Sequence, residues 1–238
     1  SAIGTVTATD ADNLDSSATT TFTASGSELA IDSAGVLTFT SAPDYETKTS
    51  YTTTITASDG AGNSSSQSIT VSITDIDDEA PVITSGSTFS ADENQSAIGT
   101  VTATDADNLD TSETISFTVS GDELTITSAG ALTFTSEPDY ETKTSYTTTI
   151  TASDGANNSS TQNITVNVNN LNDNSPVFTS DATFSAAENQ TAIGTVTGSD
   201  ADGDSLTFTI SGSELAITSA GVLTFVSAPD YETKDSYA

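Results

Sequence analysis

The sequence predicts an all-β chain of tandem seven-stranded antiparallel Greek-key sandwiches joined end to end as a rod, and three observations predict it. First, the 238 residues form a tandem repeat. AIGTVTATDADNLD stands at Ala2–Asp15 and again 95 residues later at Ala97–Asp110, and YETKTSYTTTITASDGA at Tyr45–Ala61 recurs at Tyr140–Ala156. A period of that length is domain-sized, so each copy can bury its own small core. Second, apolar residues alternate with Thr, Ser and Asn at a period of two, the spacing of half-buried strands. Third, Gly, Asp and Asn punctuate the short segments, and none shows helical spacing.

The repeats are read as residues 1–79, which lack a first strand, 80–174, which are complete, and 175–238, which lack the last two strands. The third copy runs AIGTVTGSDADGD from Ala192 and PDYETKDSYA from Pro229, with four residues fewer after its DAD. In the middle copy the alternation predicts strands at Pro81–Ala91, Ile98–Thr104, Thr114–Ser120, Glu123–Thr127, Ala131–Thr135, Ser145–Ser153 and Thr161–Asn169. Their inward set is Val101 and Ala103, Ile115, Phe117 and Val119, Leu124 and Ile126, Leu132 and Phe134, Tyr146, Thr148, Ile150 and Ala152, and Ile164, Val166 and Val168. Thr and Ser on the outward positions suit a pleated, solvated face.

Composition narrows the function. There are 34 Asp and Glu against three Lys, with no Arg, His, Cys, Met or Trp, and the net charge is -31. Nothing in such a chain neutralises phosphates, which excludes nucleic acid as a partner and disfavours anionic membrane surfaces. Without thiolate or imidazole, zinc, copper, haem and iron–sulfur chemistry has no ligands. No apolar run approaches a membrane span, so direct membrane insertion is not expected. An enzyme is not expected either: a Ser-His-Asp set is impossible, and paired carboxylates would need a cleft that raises their pKa values. Self-repulsion at this charge opposes a compact fold unless cations bind.

The acidic residues are not scattered. TDIDDEAP at Thr74–Pro81 and NNLNDNSP at Asn169–Pro176 crowd carboxylates and amides before a proline. Around the first stand Asp44 and Glu46 in PDYE, Asp105 and Asp107 in DAD, and Asp154 in ASDG. If these converge they form an oxygen cage of high charge, which suits calcium better than magnesium because calcium accepts six to eight oxygens in loose geometry.

In order along a repeat stand an early ENQ, GTVTATDAD, AG-x-L before PDYE, YTTTITASDG and an acidic linker ending in proline, and this pattern resembles that of cadherin domains. The resemblance covers essentially the whole chain. It implies three calcium ions at each junction between successive domains. At the first junction it implies ligands from Asp44 and Glu46, from Asp75, Asp77 and Asp78 of the linker, from the carbonyls of Ile76 and Glu79, and from Asp105, Asp107 and Asp154. At the second it implies Glu93, Asp139 and Glu141, then Asn172 and Asp173, the carbonyls of Leu171 and Asn174, and Asp200 and Asp202. Asn170 stands there where the pattern has an aspartate, so one site loses an anionic ligand. Asp10, Asp12 and Asp59 form a half-set in repeat 1, and Glu188, Asp230 and Glu232 another in repeat 3.

The implied role is a calcium-rigidified extracellular spacer in a cell-surface adhesion protein or fibre. Its partners would be further copies of the repeat in a longer chain and a homotypic or surface partner. Near-identical Thr-rich copies resemble long bacterial surface proteins and adhesins. The alternative is a carbohydrate- or ice-binding module using hydroxyl arrays such as Thr100, Thr102 and Thr104, or Thr147, Thr149 and Thr151.

Overall fold

The computed structural model describes residues 2–11, 20–107 and 114–237. The first repeat supplies β1 (Ala2–Thr5), β2 (Thr21–Ala24), β3 (Leu29–Ile31), β4 (Val36–Phe39), β5 (Ser50–Ser58) and β6 (Ser64–Ser72). The middle repeat supplies β7 (Val82–Ile83), β8 (Thr88–Asp92), β9 (Ala97–Thr100), β10 (Ala103–Thr104), β11 (Ser116–Val119), β12 (Leu124–Ile126), β13 (Ala131–Phe134), β14 (Ser145–Ser153) and β15 (Ser159–Asn169). The third supplies β16 (Val177–Phe178), β17 (Ala192–Thr195), β18 (Gly198–Ser199), β19 (Leu215–Ile217) and β20 (Val222–Phe225).

The chain divides into two compact units. One comprises Ser1–Thr84, Ala103–Ser116 and Ala152–Ser160, and the other Ser85–Thr102, Phe117–Thr151 and Thr161–Ala238. In the first unit, sheets ordered β1-β4-β3 and β2-β5-β6 enclose Leu29, Leu37 and Ile55, with Phe22, Tyr51, Ile69 and Val71 packed around them. The β5–β6 hairpin pairs without interruption from Ser50↔Ser72 to Ser58↔Ser64. Its outward hydroxyls bond one another, as Thr52 with Thr70 at 3.2 Å and Thr56 with Ser66 at 2.8 Å. β7 and β10 also pair within this unit.

The second unit holds sheets ordered β12-β13-β9 and β11-β14-β15-β8, and the predicted inward residues Val101, Phe117, Leu124, Leu132, Phe134, Ile150, Ile164, Val166 and Val168 are all buried. Period-two patterning therefore fixes which face each strand turns inward. Two predicted strands are broken. Residues 81–91 become β7 and β8, separated by Thr84-Ser85-Gly86-Ser87, because β7 pairs with β10 whereas β8 pairs with β15. Residues 98–104 become β9 and β10, because β9 pairs with β13 whereas β10 pairs with β7. β8 runs parallel to β15, from Thr88↔Thr165 to Asp92↔Asn169, in an otherwise antiparallel arrangement. The third repeat contributes β17-β20-β19 and the pair β16–β18, and Phe178 and Phe184 remain exposed.

Gly130 shows why the β12–β13 turn carries glycine. Its φ is +87°, and a Cβ there would lie 2.2 Å from the Val101 carbonyl oxygen. Gly35 and Gly221 repeat the geometry against Val6 and Val196. The three lysines also repeat one arrangement. Lys48 meets Glu28 at 2.6 Å and lies 4.5 Å from the Tyr51 ring centre; Lys143 does the same with Glu123 and Tyr146, and Lys234 with Glu214 and Tyr237.

Candidate metal centres at the repeat junctions

The first junction lies wholly in the first unit. Asp107, in the DAD turn after β10, is only 7% exposed, and its Oδ2 accepts the N–H groups of Asp78 at 2.9 Å and Glu79 at 2.6 Å. The turn thus grips the linker by its backbone and leaves the linker carboxylates directed elsewhere. Asp154, in the loop after β14, is buried, and its Oδ1 accepts from Ala156 at 2.8 Å and Asn158 at 3.2 Å. The Asn158 amide crosses to the linker, donating to Asp77 Oδ1 at 2.9 Å and to its carbonyl at 3.3 Å. The Ser160 hydroxyl bonds the Pro81 carbonyl. Oxygens of Glu46, Asp78 and Asp107 all lie within 4.8 Å of one another.

The decisive feature is what these bonds leave over. One carboxylate oxygen on each of Asp75, Asp77, Asp105, Asp107 and Asp154 is buried and has no hydrogen-bond partner. A buried, unpaired anionic oxygen is costly, and the donor that faces Asp75 and Asp107 is the proton Glu46 carries below about pH 7. The Glu46 carboxyl shows the crowding. Its own backbone amide bond works to lower its pKa, yet desolvation together with hydrogen bonds and repulsion from Asp107 and Asp75 pushes it up to about 7. Donors that are all hard oxygens, with no nitrogen or sulfur available, suit a hard dication.

The second junction lies wholly in the second unit. Glu93 is 2% exposed, and its two oxygens accept the Leu171 N–H at 2.7 Å and the Tyr140 N–H at 2.8 Å, so one residue ties the linker to the DYE turn. Asp202 Oδ2 accepts from Asp173 at 3.1 Å and Asn174 at 2.7 Å, repeating the grip of Asp107. Oxygens of Glu93, Glu141, Asp173 and Asp202 lie within 4.8 Å of one another. Desolvation raises the Glu141 pKa, assisted by Glu93 and Asp202, whereas backbone bonds from Asn174 lower that of Asp202. Here asparagine amides occupy the carboxylates: Asn172 bonds Asp204, Asn94 bonds Asp173, and Asn174 reaches Glu141 at 3.2 Å and Asp173 at 2.8 Å. Asn170 donates to the Asp202 carbonyl at 3.4 Å. Among the described residues no buried carboxylate oxygen at this junction lacks a partner.

The remaining expected ligands stand apart. Asp44 and Asp139 cap their own turns, accepting the hydroxyls of Thr47 and Thr142 at 2.8 Å each, and these bonds hold both below the usual carboxylate pKa. Asp200 accepts the Asp202 N–H at 2.9 Å and aligns that turn. Ile76 and Leu171 turn their side chains outward, so the oxygens they can offer are backbone carbonyls. Asp10 and Asp59 line one open depression, and Asp12 lies outside the described residues. Glu188, Asp230 and Glu232 are exposed but close together. Asp204, Asn94 and Asn158 escaped the sequence reading. Asp204 carried a signal, since the shortened DADGD loop brings a third acidic residue beside the DAD pair. Of the threonines in the first hydroxyl array, Thr100 lies on β9 and Thr104 on β10, which pair with different strands.

Residues 87–169 match the family model of the cadherin domain. The chain's repeats are cadherin-like. Those on either side of the middle repeat share its sequence motifs. The chain is 35% identical over 147 residues to mouse "Cadherin EGF LAG seven-pass G-type receptor 2", an alignment covering 58% of this chain and 5% of the receptor. It is 30% identical over 161 residues to the Drosophila melanogaster "Protocadherin-like wing polarity protein stan", covering 61% of this chain and 4% of that protein. Among solved structures, mouse Cadherin-23 EC22-24 superposes with a TM-score of 0.70 at 23% identity, covering 90% of this chain and 77% of that one. Cadherin domains 3-6 of Protocadherin Gamma B2 give 0.67 at 22% identity, covering 88% and 60%. The chain thus spans about a twentieth of the length of the curated cadherin relatives it matches first. Those relatives are animal proteins and lend no support to the bacterial origin that the Thr-rich repeats suggested.

Proposed function

We propose that this chain is a calcium-stiffened extracellular spacer segment of a cell-surface adhesion protein. The observation that carries the reading is the set of five buried carboxylate oxygens without partners at the first junction. Calcium there would be held by Glu46, Asp75, Asp77, Asp78, Asp105, Asp107 and Asp154 with the carbonyls of Ile76 and Glu79; at the second junction by Glu93, Glu141, Asp173 and Asp202, with Asp139, Asp200, Leu171, Asn172 and Asn174 beside them. The bound ion supplies positive charge and a demand for six to eight oxygens. The chain's own residues supply the rest. Asp107 and Asp202 position each linker through its N–H groups, Glu93 ties linker to turn, and the burial of Asp154 excludes water from the donor set. Because donors come from two repeats and the linker, satisfying them together permits few linker conformations. Dissociation constants on the order of 10⁻⁴ to 10⁻³ M are common in extracellular modules, so the segment would be stiff in calcium-rich surroundings and slack where calcium is scarce.

Small-angle scattering of the chain in calcium and in chelator tests this. Different scattering profiles are expected; superimposable profiles would contradict stiffening.

A further inference from the structure

One loop occurs twice with a single difference, and the comparison carries an inference about Asn158. Ala57–Asn63 reads ASDGAGN and Ala152–Asn158 reads ASDGANN. The backbones agree in part, and Gly155 stands at φ 113° where Gly60 is not left-handed. Gly62 and Asn157 are left-handed at φ 92° and 86°, and the Asp59 and Asp154 N–H groups reach the Asn63 and Asn158 carbonyls at 3.0 and 3.4 Å. Asp59 Oδ1 accepts from Ala61 and Asn63 at 2.9 and 2.8 Å, as Asp154 Oδ1 does from Ala156 and Asn158 at 2.8 and 3.2 Å. The side-chain amides differ. Asn63 Nδ2 closes on its own loop, donating to Asp59 Oδ2 at 2.8 Å. Asn158 Nδ2 instead donates to Asp77 of the linker, and Asp154 Oδ2 is left buried without a partner.

The geometry points to Asn158 as a latch, a positioning residue that passes its amide from Asp154 to Asp77 when the linker docks. An amide N–H on a carboxylate oxygen occupies the lone pairs a cation needs. Moving it therefore does two things at once: it fixes the linker and it frees Asp154 Oδ2 for the ion. Asn63, bonded to Asp59 Oδ2 within its own loop, shows the amide's other setting. The inference rests on the calcium reading above, and it adds an order of events in which linker docking readies Asp154 before the cation arrives.

The test follows amide hydrogen exchange of the linker peptide around Thr74–Pro81 in chelator, and calcium calorimetry, in the whole chain. In chelator, Asn158→Ala is expected to speed exchange of the Asp78 and Glu79 amides by about two- to tenfold, the worth of one or two hydrogen bonds. Asn158→Asp, similar in size but without the N–H donor, should do the same, whereas Asn63→Ala should leave the linker as in the wild type. In calorimetry Asn158→Ala should weaken the first junction by a comparable factor and leave the second unchanged, which a general loss of stability would not do. Wild-type exchange and wild-type affinity in Asn158→Ala would overturn the latch, as would equal effects of Asn158→Ala and Asn63→Ala. A wild type that binds no calcium, with Asn158→Ala still losing linker protection, would instead overturn the calcium reading and the gating while leaving the contact with Asp77 in place.

Discussion

At the scale of single residues, the two junctions differ in how each carboxylate is compensated. Glu46 keeps its proton to about pH 7 in the ion-free fold, against an ordinary value of 4.5. A raised carboxyl pKa means the native state binds that proton more tightly than the unfolded chain. This group's contribution to ion-free stability is therefore full below about pH 4.5 and is lost as pH rises through 7. Calcium has the opposite dependence, since it requires the carboxylate. Calorimetric titration at pH 5.5 and 7.5 should show the first junction weaker at the lower pH by about tenfold or more, with proton release on binding; a dissociation constant independent of pH would refute the role of Glu46. The two junctions should also differ. Asp75, Asp77 and Glu79 of the first linker are replaced by Asn170, Asn172 and Asn174 in the second, where amides already bond the carboxylates. Lower ligand charge means lower calcium affinity, so the second junction is expected to fill at higher calcium, and Asn170→Asp should narrow the gap. Equal affinities, or no response to Asn170→Asp, would show that linker charge does not set the order.

At the scale of elements, the strands were legible and the places where they break were not. Alternation exposes one face of each strand to selection for apolar residues, so Leu124, Leu132, Ile150 and Val166 announce themselves from sequence. The division of 81–91 into β7 and β8, and the parallel pairing of β8 with β15, depend on which neighbour offers free backbone groups, and no local pattern encodes that. The same limit applied at the junctions. Acidic motifs gave the carboxylates, but the amides of Asn158 and Asn94 are invisible among so many asparagines until the chain is folded. Glycine in the AG-x-L motif is an element-scale constraint: Gly130→Ala combines a left-handed φ with a 2.2 Å approach to the Val101 carbonyl. It should destabilise the middle repeat by roughly 2 kcal/mol or more in denaturant unfolding. By contrast, Lys143→Ala removes an exposed ion pair and a contact with Tyr146, for about 1 kcal/mol or less. A Gly130→Ala midpoint equal to that of the wild type would show that the turn relaxes freely.

At the scale of the whole molecule, a chain with net charge -31 folds against its own repulsion. The three lysines are all committed to Glu28, Glu123 and Glu214, away from the acidic junctions, so charge compensation at the junctions must come from outside the chain. An ion bound only by the native state stabilises it by mass action, by about 2.7 kcal/mol for one site at a hundredfold excess over its dissociation constant. For a chain of this size that corresponds to a rise of roughly 5–10 °C in Tm per site. The most direct test of the central claim is therefore the thermal melting of the chain in chelator and across a calcium series at fixed ionic strength. Melting temperature should climb with calcium and continue to climb beyond saturation of the sites; a Tm that stays the same from chelator to millimolar calcium would show that the buried carboxylates at the junctions hold no ion.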